Sequence, residues 1–109
     1  MTEITVFRNR DGGILGFESL GHAGYADKGE DIVCAGISAL VINTVNSLGR
    51  FTEEQFTVDA SEEEGRIALR LKEPAGHDGG LLIKSLILGL EEIQHTYGND
   101  YLVLDFREV

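Results

Sequence analysis

Two residues of this 109-residue chain, Cys34 and His22, have the types and spacing that nucleophilic catalysis requires. Cys34 is the single cysteine, so it is a free thiol and has no partner for an intramolecular disulfide. A thiolate attacks an amide carbonyl well when a base takes its proton and later protonates the departing amine, and histidine suits neutral pH best. A loop that folds back over a helix terminus can close the separation of the two residues, so the pair predicts cysteine-dependent chemistry at an amide bond.

The setting of Cys34 leaves two interpretations open. It falls about one turn into a predicted helix, where unpaired backbone N–H groups and the helix dipole favour a thiolate. We expect the same N–H groups to stabilise an oxyanion. A lone cysteine on a helix is also commonly a small buried apolar residue, which would give Cys34 a packing role only.

The elements that would position these residues follow from hydrophobic periodicity. Alternating or short apolar runs predict strands over 4–8, 14–18, 55–59, 66–72 and 101–107, and helical spacing predicts helices over 32–49 and 80–97. The expected fold is one α+β domain spanning 1–109, a two-layer sandwich with a mainly antiparallel sheet and two helices in the order β-β-α-β-β-α-β.

The segment 21–30, which connects the second strand to the first helix, is longer than most connections of this kind and contains three glycines. Such loops are usually mobile or functional. We therefore expect the segment that carries His22 to move when substrate binds.

Composition limits the partners and the location. The net charge of −10 argues against binding to a phosphate backbone and favours a basic protein or peptide, although an acidic surface also simply keeps a protein in solution. The N-terminus lacks the features of a signal peptide, and no apolar segment is expected to approach the length of a membrane span. These features predict a cytoplasmic protein.

The residues around the pair resemble a known family. The sequence Gly-His-Ala-Gly-Tyr-Ala at 21–26, followed by Gly-Glu-Asp-Ile-Val-Cys-Ala-Gly-Ile-Ser-Ala-Leu at 29–40, is similar to the signature of the ribosomal-processing cysteine protease (Prp) family. The resemblance extends over the whole chain in length and element order. It implies that His22 and Cys34 are catalytic and that no metal or organic cofactor is required.

The resemblance also implies a substrate and an assembly. It points to an endoprotease that removes the N-terminal extension of large-subunit ribosomal protein twenty-seven, cutting after a hydrophobic stretch that contains Phe. It further implies a homodimer, and a role in ribosome maturation without direct contact to nucleic acid.

Three further residues are candidates for supporting or substrate-binding roles. Asp31 either orients His22 or only caps the first helix. Ser38 lies one helical turn after Cys34 and either lines the substrate pocket or makes a neutral packing contact. Gly21 precedes His22 and is assigned a supporting role with it.

The remaining histidines and glycine pairs are assigned to structure. His77 and His95 are expected at the surface and form no metal site with Cys34 by any usual spacing. The glycine pairs at 12–13 and 79–80 lack the residues of a phosphate loop and are assigned to turns.

Two other functions remain compatible with the sequence. One is a non-enzymatic acidic module that binds a basic ribosomal or regulatory protein, with Cys34 packed in the core. The other is acyl or amide transfer by the same pair on a different substrate.

Overall fold

The computed structural model describes residues 1–27 and 29–109, and these form five strands and two helices. In chain order the elements are β1 (Thr2–Arg8), β2 (Ile14–Leu20), α1 (Ile32–Phe51), β3 (Phe56–Ser61), β4 (Arg66–Leu71), α2 (His77–Tyr97) and β5 (Leu102–Glu108). The predicted order β-β-α-β-β-α-β is confirmed, as is the predicted α+β class with a mainly antiparallel sheet.

The sheet has the strand order β3-β4-β2-β1-β5. Only the β1–β5 pair is parallel among the pairings of the described residues. Because β2 pairs with β4 and not with β3, the end of β2 lies beside the turn that joins β3 to β4. Leu20 and Arg66 form the last pair of this ladder, so the residues that follow β2 emerge next to the residues that precede β4.

The core lies between one face of the sheet and the two helices. Val6, Phe17 and Leu69 are aligned across three strands and are fully buried. Since successive side chains of a strand point to opposite faces, their neighbours lie on the other side of the sheet. There Arg66 forms an ion pair with Glu18 at 3.2 Å, which is typical of a solvated face.

Helix α1 is two residues longer than predicted. The predicted helix ended at Gly49, but the helix continues through Gly49 to Phe51. The Thr52 hydroxyl then donates to the Leu48 carbonyl at 2.6 Å. This bond satisfies one of the carbonyl groups that a helix end leaves unpaired, so the helix is closed at Thr52.

The expectation that no apolar segment approaches the length of a membrane span was wrong for α1. By length and composition this helix could cross a membrane, because it carries apolar residues on more than its core face. Val33, Ile37 and Val41 are buried, whereas Ile32 is 59% and Ile42 48% exposed. The core helix of a folded protein passes the same test, and we assign α1 to the core.

Helix α2 begins three residues before the predicted start, and the assignment of Gly79 and Gly80 to a turn was wrong, since both lie in its first turn. The carboxylate of Glu54 explains this start. Its Oε2 accepts the N–H of Gly76, the N-cap residue, at 2.9 Å. A Cβ at Gly79 would overlap that carboxylate, so glycine permits the close approach of Glu54 to the helix terminus.

Candidate functional site

Cys34 is the third residue of α1 and is half-buried. Its backbone N–H donates to Oδ1 of Asp31 at 2.8 Å, and the N–H of Ala35 donates to the Asp31 carbonyl at 3.0 Å. The expectation that unpaired N–H groups here stabilise an oxyanion is therefore corrected for these two residues, because the helix cap already occupies both donors.

Asp31 connects the loop to the helix. Its second carboxylate oxygen, Oδ2, accepts the N–H of Tyr25 at 2.9 Å and that of Ala26 at 3.4 Å. Partial burial acts to raise the pKa of Asp31, but the hydrogen bonds from these backbone groups and from Cys34 outweigh it and hold the pKa below its ordinary value. Within the described part of the chain, Asp31 accepts hydrogen bonds from backbone groups only. This is the geometry of a helix cap.

The loop before α1 is anchored at its first half. Ala23 is buried, and the ring of Tyr25 packs edge-on against Tyr97 at 5.5 Å and Tyr101 at 5.2 Å between ring centroids. Lys28, which belongs to the segment predicted to be mobile, lies outside the described residues. These contacts hold Ala23 and Tyr25 against the rest of the protein.

His22 is exposed and is held between two anchored neighbours. On one side the N–H of Gly21 donates to the carbonyl of Gly65 at 3.0 Å, and on the other Ala23 is buried. Gly21 has a φ of +93°, and a Cβ there would lie 2.6 Å from the Met1 carbonyl oxygen. Only glycine permits this backbone conformation and this contact with the N-terminus next to His22.

Two cavities, of about 500 and 560 Å³, meet at the candidate residues. Four residues line both: His22, Cys34, Ser38 and Glu62. The structure therefore brings together the thiol, the imidazole and the Ser38 hydroxyl that the sequence singled out. It adds Glu62, which the sequence did not indicate.

The first cavity is predominantly apolar. It lies between α1 and the β3–β4 side of the sheet and is lined by Ile37, Val41 and Ile42 from the helix and by Ala60 and Ile67 from the strands. An apolar cleft beside a thiol suits aliphatic or aromatic side chains next to a scissile bond.

The second cavity is also predominantly apolar, but carboxylates stand at its wall. Asp31, Glu62 and Glu63 line it together with backbone from Gly24 and Gly29. A chain that crosses Cys34 from the first cavity to the second would pass the carboxylates of Asp31 and Glu63, which do not line the first cavity.

Several lining residues could not be recognised from the sequence. Ala60, Glu62 and Gly65 belong to the hairpin formed by β3, β4 and the turn between them. They reach the site because β4 pairs with β2. A local sequence pattern does not indicate which non-consecutive strands pair.

No group of three or more histidine, cysteine, aspartate or glutamate residues is placed to hold a metal ion in residues 1–27 and 29–109. His77 and His95 are exposed on α2, as predicted, and line neither cavity. What the arrangement offers is a half-buried thiol and an imidazole at an open cleft, the groups used in nucleophilic acyl chemistry.

Comparison with known proteins agrees with this chemistry. The family model described as cysteine protease Prp matches residues 1–102. The ribosomal processing cysteine protease Prp of Bacillus subtilis (strain 168) is 35% identical over 94% of this chain and 96% of its own length. The corresponding protein of Staphylococcus aureus (strain Mu50) is 25% identical over 98% of this chain and 100% of its own.

A solved structure gives the same result. The crystal structure of an essential ribosomal processing protease Prp from S. aureus, in complex with a covalently linked product peptide, superposes with a TM-score of 0.92 at 25% identity. It covers 98% of this chain and 100% of that chain. The agreement of family model, relatives and fold, over nearly the whole sequence, shows that this chain belongs to the cysteine protease Prp family.

Proposed function

We propose that this cysteine protease removes the N-terminal extension of large-subunit ribosomal protein twenty-seven, with Cys34 as nucleophile and His22 as general acid and base. The observation that carries the proposal is that both side chains line the same two adjoining cavities. A peptide that spans the junction would present its carbonyl to both. The relatives named as ribosomal processing proteases support the choice of substrate class.

The proposed reaction has two stages. In the first, the Cys34 thiol proton passes to His22 and Sγ adds to the scissile carbonyl carbon. As the C–N bond breaks, the His22 imidazolium protonates the departing amine and a thioester remains on Cys34. In the second, His22 takes a proton from water and the hydroxide adds to the thioester carbon. The adduct then collapses to the carboxylic acid product and the Cys34 thiolate, which regains its proton from the His22 imidazolium.

The apolar cavity fits the amino-terminal side of the cleavage site. The resemblance noted from the sequence implies cutting after a hydrophobic stretch, and Val41, Ile42 and Ile67 would contact its side chains. The amine side of the scissile bond then faces the cavity that contains Asp31 and Glu63. Binding across the junction would place the basic part of a substrate near these carboxylates.

Three residues support the pair in this proposal. The Ser38 hydroxyl, exposed at the junction of the cavities, is placed to hydrogen-bond the peptide backbone. Gly21 holds the backbone before His22, and Asp31 holds the backbone of Cys34. The latter two act on the catalytic groups through the backbone.

We also propose a cytoplasmic homodimer. Leu81 and Leu88 of α2 are 58% and 61% exposed, and Ile32 of α1 is 59% exposed. Leu81 and Leu88 are two helical turns apart and so lie on one face of α2, and a contiguous apolar face is typical of a surface that a second copy covers. Light scattering coupled to size-exclusion chromatography tests this: Leu88→Asp should convert a dimer into a monomer, and a wild-type monomer at assay concentration would contradict the dimer.

The direct test of the function is cleavage of the extended ribosomal protein. The wild-type protein should convert it into two fragments whose masses place the cut after the hydrophobic stretch. Intact substrate after prolonged incubation, with Cys34 reduced and the protein folded, would contradict the proposal and favour a binding module. A second experiment with a thiol-alkylating reagent separates these functions, since a packed Cys34 would react only after denaturation.

A further inference from the structure

The β3–β4 turn contacts the imidazole of His22 at a point where no side chain intervenes. Gly65, the last residue of this turn, has a φ of +62°. A Cβ built on it would lie 2.8 Å from His22 Nε2 and 3.0 Å from His22 Cε1. The imidazole therefore rests against the Gly65 backbone, in space that any other residue would fill.

The backbone holds the same two segments in register. The N–H of Gly21 donates to the Gly65 carbonyl at 3.0 Å, directly after the last β2–β4 pair, Leu20 with Arg66. The turn itself is closed by the Gly65 N–H, which donates to the Glu62 carbonyl at 3.2 Å. Gly65 is thus fixed relative to the backbone that carries His22, and its bare Cα forms one wall of the imidazole site.

We propose that Gly65 is a positioning residue for His22: the glycine defines the place of the imidazole, and a Cβ there would displace the ring from Cys34. This inference rests on the proposed function of His22. Because His22 is exposed, its ring can swing away from a Cβ at little cost to folding. A Gly65 substitution should therefore impair turnover far more than it impairs stability, since a displacement of about 1 Å at a reacting group can cost about a hundredfold in rate.

The chain provides a matched control in Gly12. It also lies in a hairpin turn and also has a positive φ, +86°, but a Cβ there would meet no atom within 4 Å. Gly12→Ala and Gly65→Ala therefore share the backbone strain of an L-residue in the left-handed region. They differ in the contacts of the added Cβ, which at Gly65 would meet the His22 ring and also lie 3.1 Å from the Gly21 carbonyl oxygen. Gly65→Asn provides a second test, because Asn carries the same Cβ and tolerates this conformation better than Ala does.

The experiment combines peptide hydrolysis with NMR of the His22 ring nitrogens across pH. In Gly65→Ala and Gly65→Asn, kcat should fall by about ten- to a hundredfold, and the His22 ring resonances should shift. Gly12→Ala should leave both readouts as in wild type. Wild-type kcat and unshifted His22 resonances in a folded Gly65 variant would overturn the inference. Failure of the proposed function is distinguishable, because the wild-type protein itself would then not hydrolyse the peptide while the NMR comparison would still report on the imidazole.

Discussion

The carboxylate of Asp31 accepts the backbone N–H of Cys34 at 2.8 Å and so fixes the residue we propose as nucleophile at the start of α1. The other carboxylate oxygen accepts the N–H of Tyr25 at 2.9 Å. One side chain therefore joins the loop that follows His22 to the helix that carries Cys34. We therefore expect the relative position of the two residues we propose as catalytic to depend on Asp31, which need not contact the substrate.

This connection predicts a pH-dependent contribution to stability. Because hydrogen bonds hold the folded-state pKa of Asp31 below its ordinary value, its stabilising effect is complete above the unfolded-state pKa of about 3.9. It is lost as the pH falls through the lower folded-state pKa. Asp31→Asn should lower Tm at pH 7, and the difference from wild type should shrink at the acidic end of the range.

The control for this experiment is Asp78→Asn. Asp78 lies in the first turn of α2, where its contact is with the neighbouring, exposed His77 at 3.0 Å. Thermal unfolding followed by circular dichroism at a series of pH values measures both variants. Equal Tm losses for Asp31→Asn and Asp78→Asn, or a loss at Asp31 that does not vary with pH, would contradict the prediction.

A second prediction concerns the catalytic pair. Cys34→Ala and His22→Ala should each reduce kcat/KM by at least about a thousandfold, and the double variant should be no worse, since a nucleophile and its base act as a unit. His95→Ala is the matched control, because His95 is exposed on α2 and lines neither cavity. Near-normal turnover in a folded single variant would exclude that residue from the reaction.

A third prediction concerns movement of the loop. Tyr25 and Ala26 donate their N–H groups to Asp31, so these amides should exchange slowly in the free protein. The amides of Asp27 and Gly29 should exchange faster and should become protected when a substrate peptide binds. Hydrogen exchange with and without peptide measures this. If these amides are already as protected as those of α1 and peptide changes nothing, binding does not order the loop.

A fourth prediction separates apolar from electrostatic binding. The kcat/KM for a basic full-length substrate should fall between 0.1 and 1 M salt, as the Debye length falls from about 10 to about 3 Å. A short uncharged cleavage-site peptide should show little change, because burial in the apolar cavity is not screened. Equal salt dependence of the two substrates would leave the net charge of −10 as a solubility feature.

Neighbouring residues of the acidic turn sharpen this test. Glu63 lines the second cavity, whereas Glu64 lines neither, and both are exposed. Glu63→Gln should lower kcat/KM for the full-length substrate by about two- to fivefold at low salt, as expected for one exposed charge contact. Glu64→Gln should have a smaller effect, and identical effects would indicate steering by overall charge alone.

The fold was predictable from sequence because hydrophobic periodicity is a local signal, and the strands and helices appeared in the expected order. The predicted ends of the two helices were less accurate, because a glycine was taken to mark a helix terminus or a turn. Gly49 and Gly79 lie inside helices because Thr52 and Glu54, outside those helices, satisfy the termini. Hydrophobic periodicity does not reveal such hydrogen bonds between a side chain and the backbone of a helix terminus.

Only part of the site was predictable from the sequence. His22, Cys34 and Ser38 could be selected by residue type and spacing, and they line common cavities. Glu62 and Gly65 could not, because they reach the site through the pairing of β2 with β4. Long-range strand pairing decides which turn lies beside His22, and a single sequence does not reveal it.

The proposed mechanism requires a covalent thioester between Cys34 and the amino-terminal product. Rapid acid quenching of a single turnover, followed by intact mass measurement and peptide mapping, detects this species. The wild-type protein should gain the mass of the acyl fragment on the peptide that contains Cys34, and Cys34→Ala should show neither the adduct nor cleavage. Cleavage that proceeds in Cys34→Ala, or an adduct on another residue, would contradict the role of Cys34 as the nucleophile.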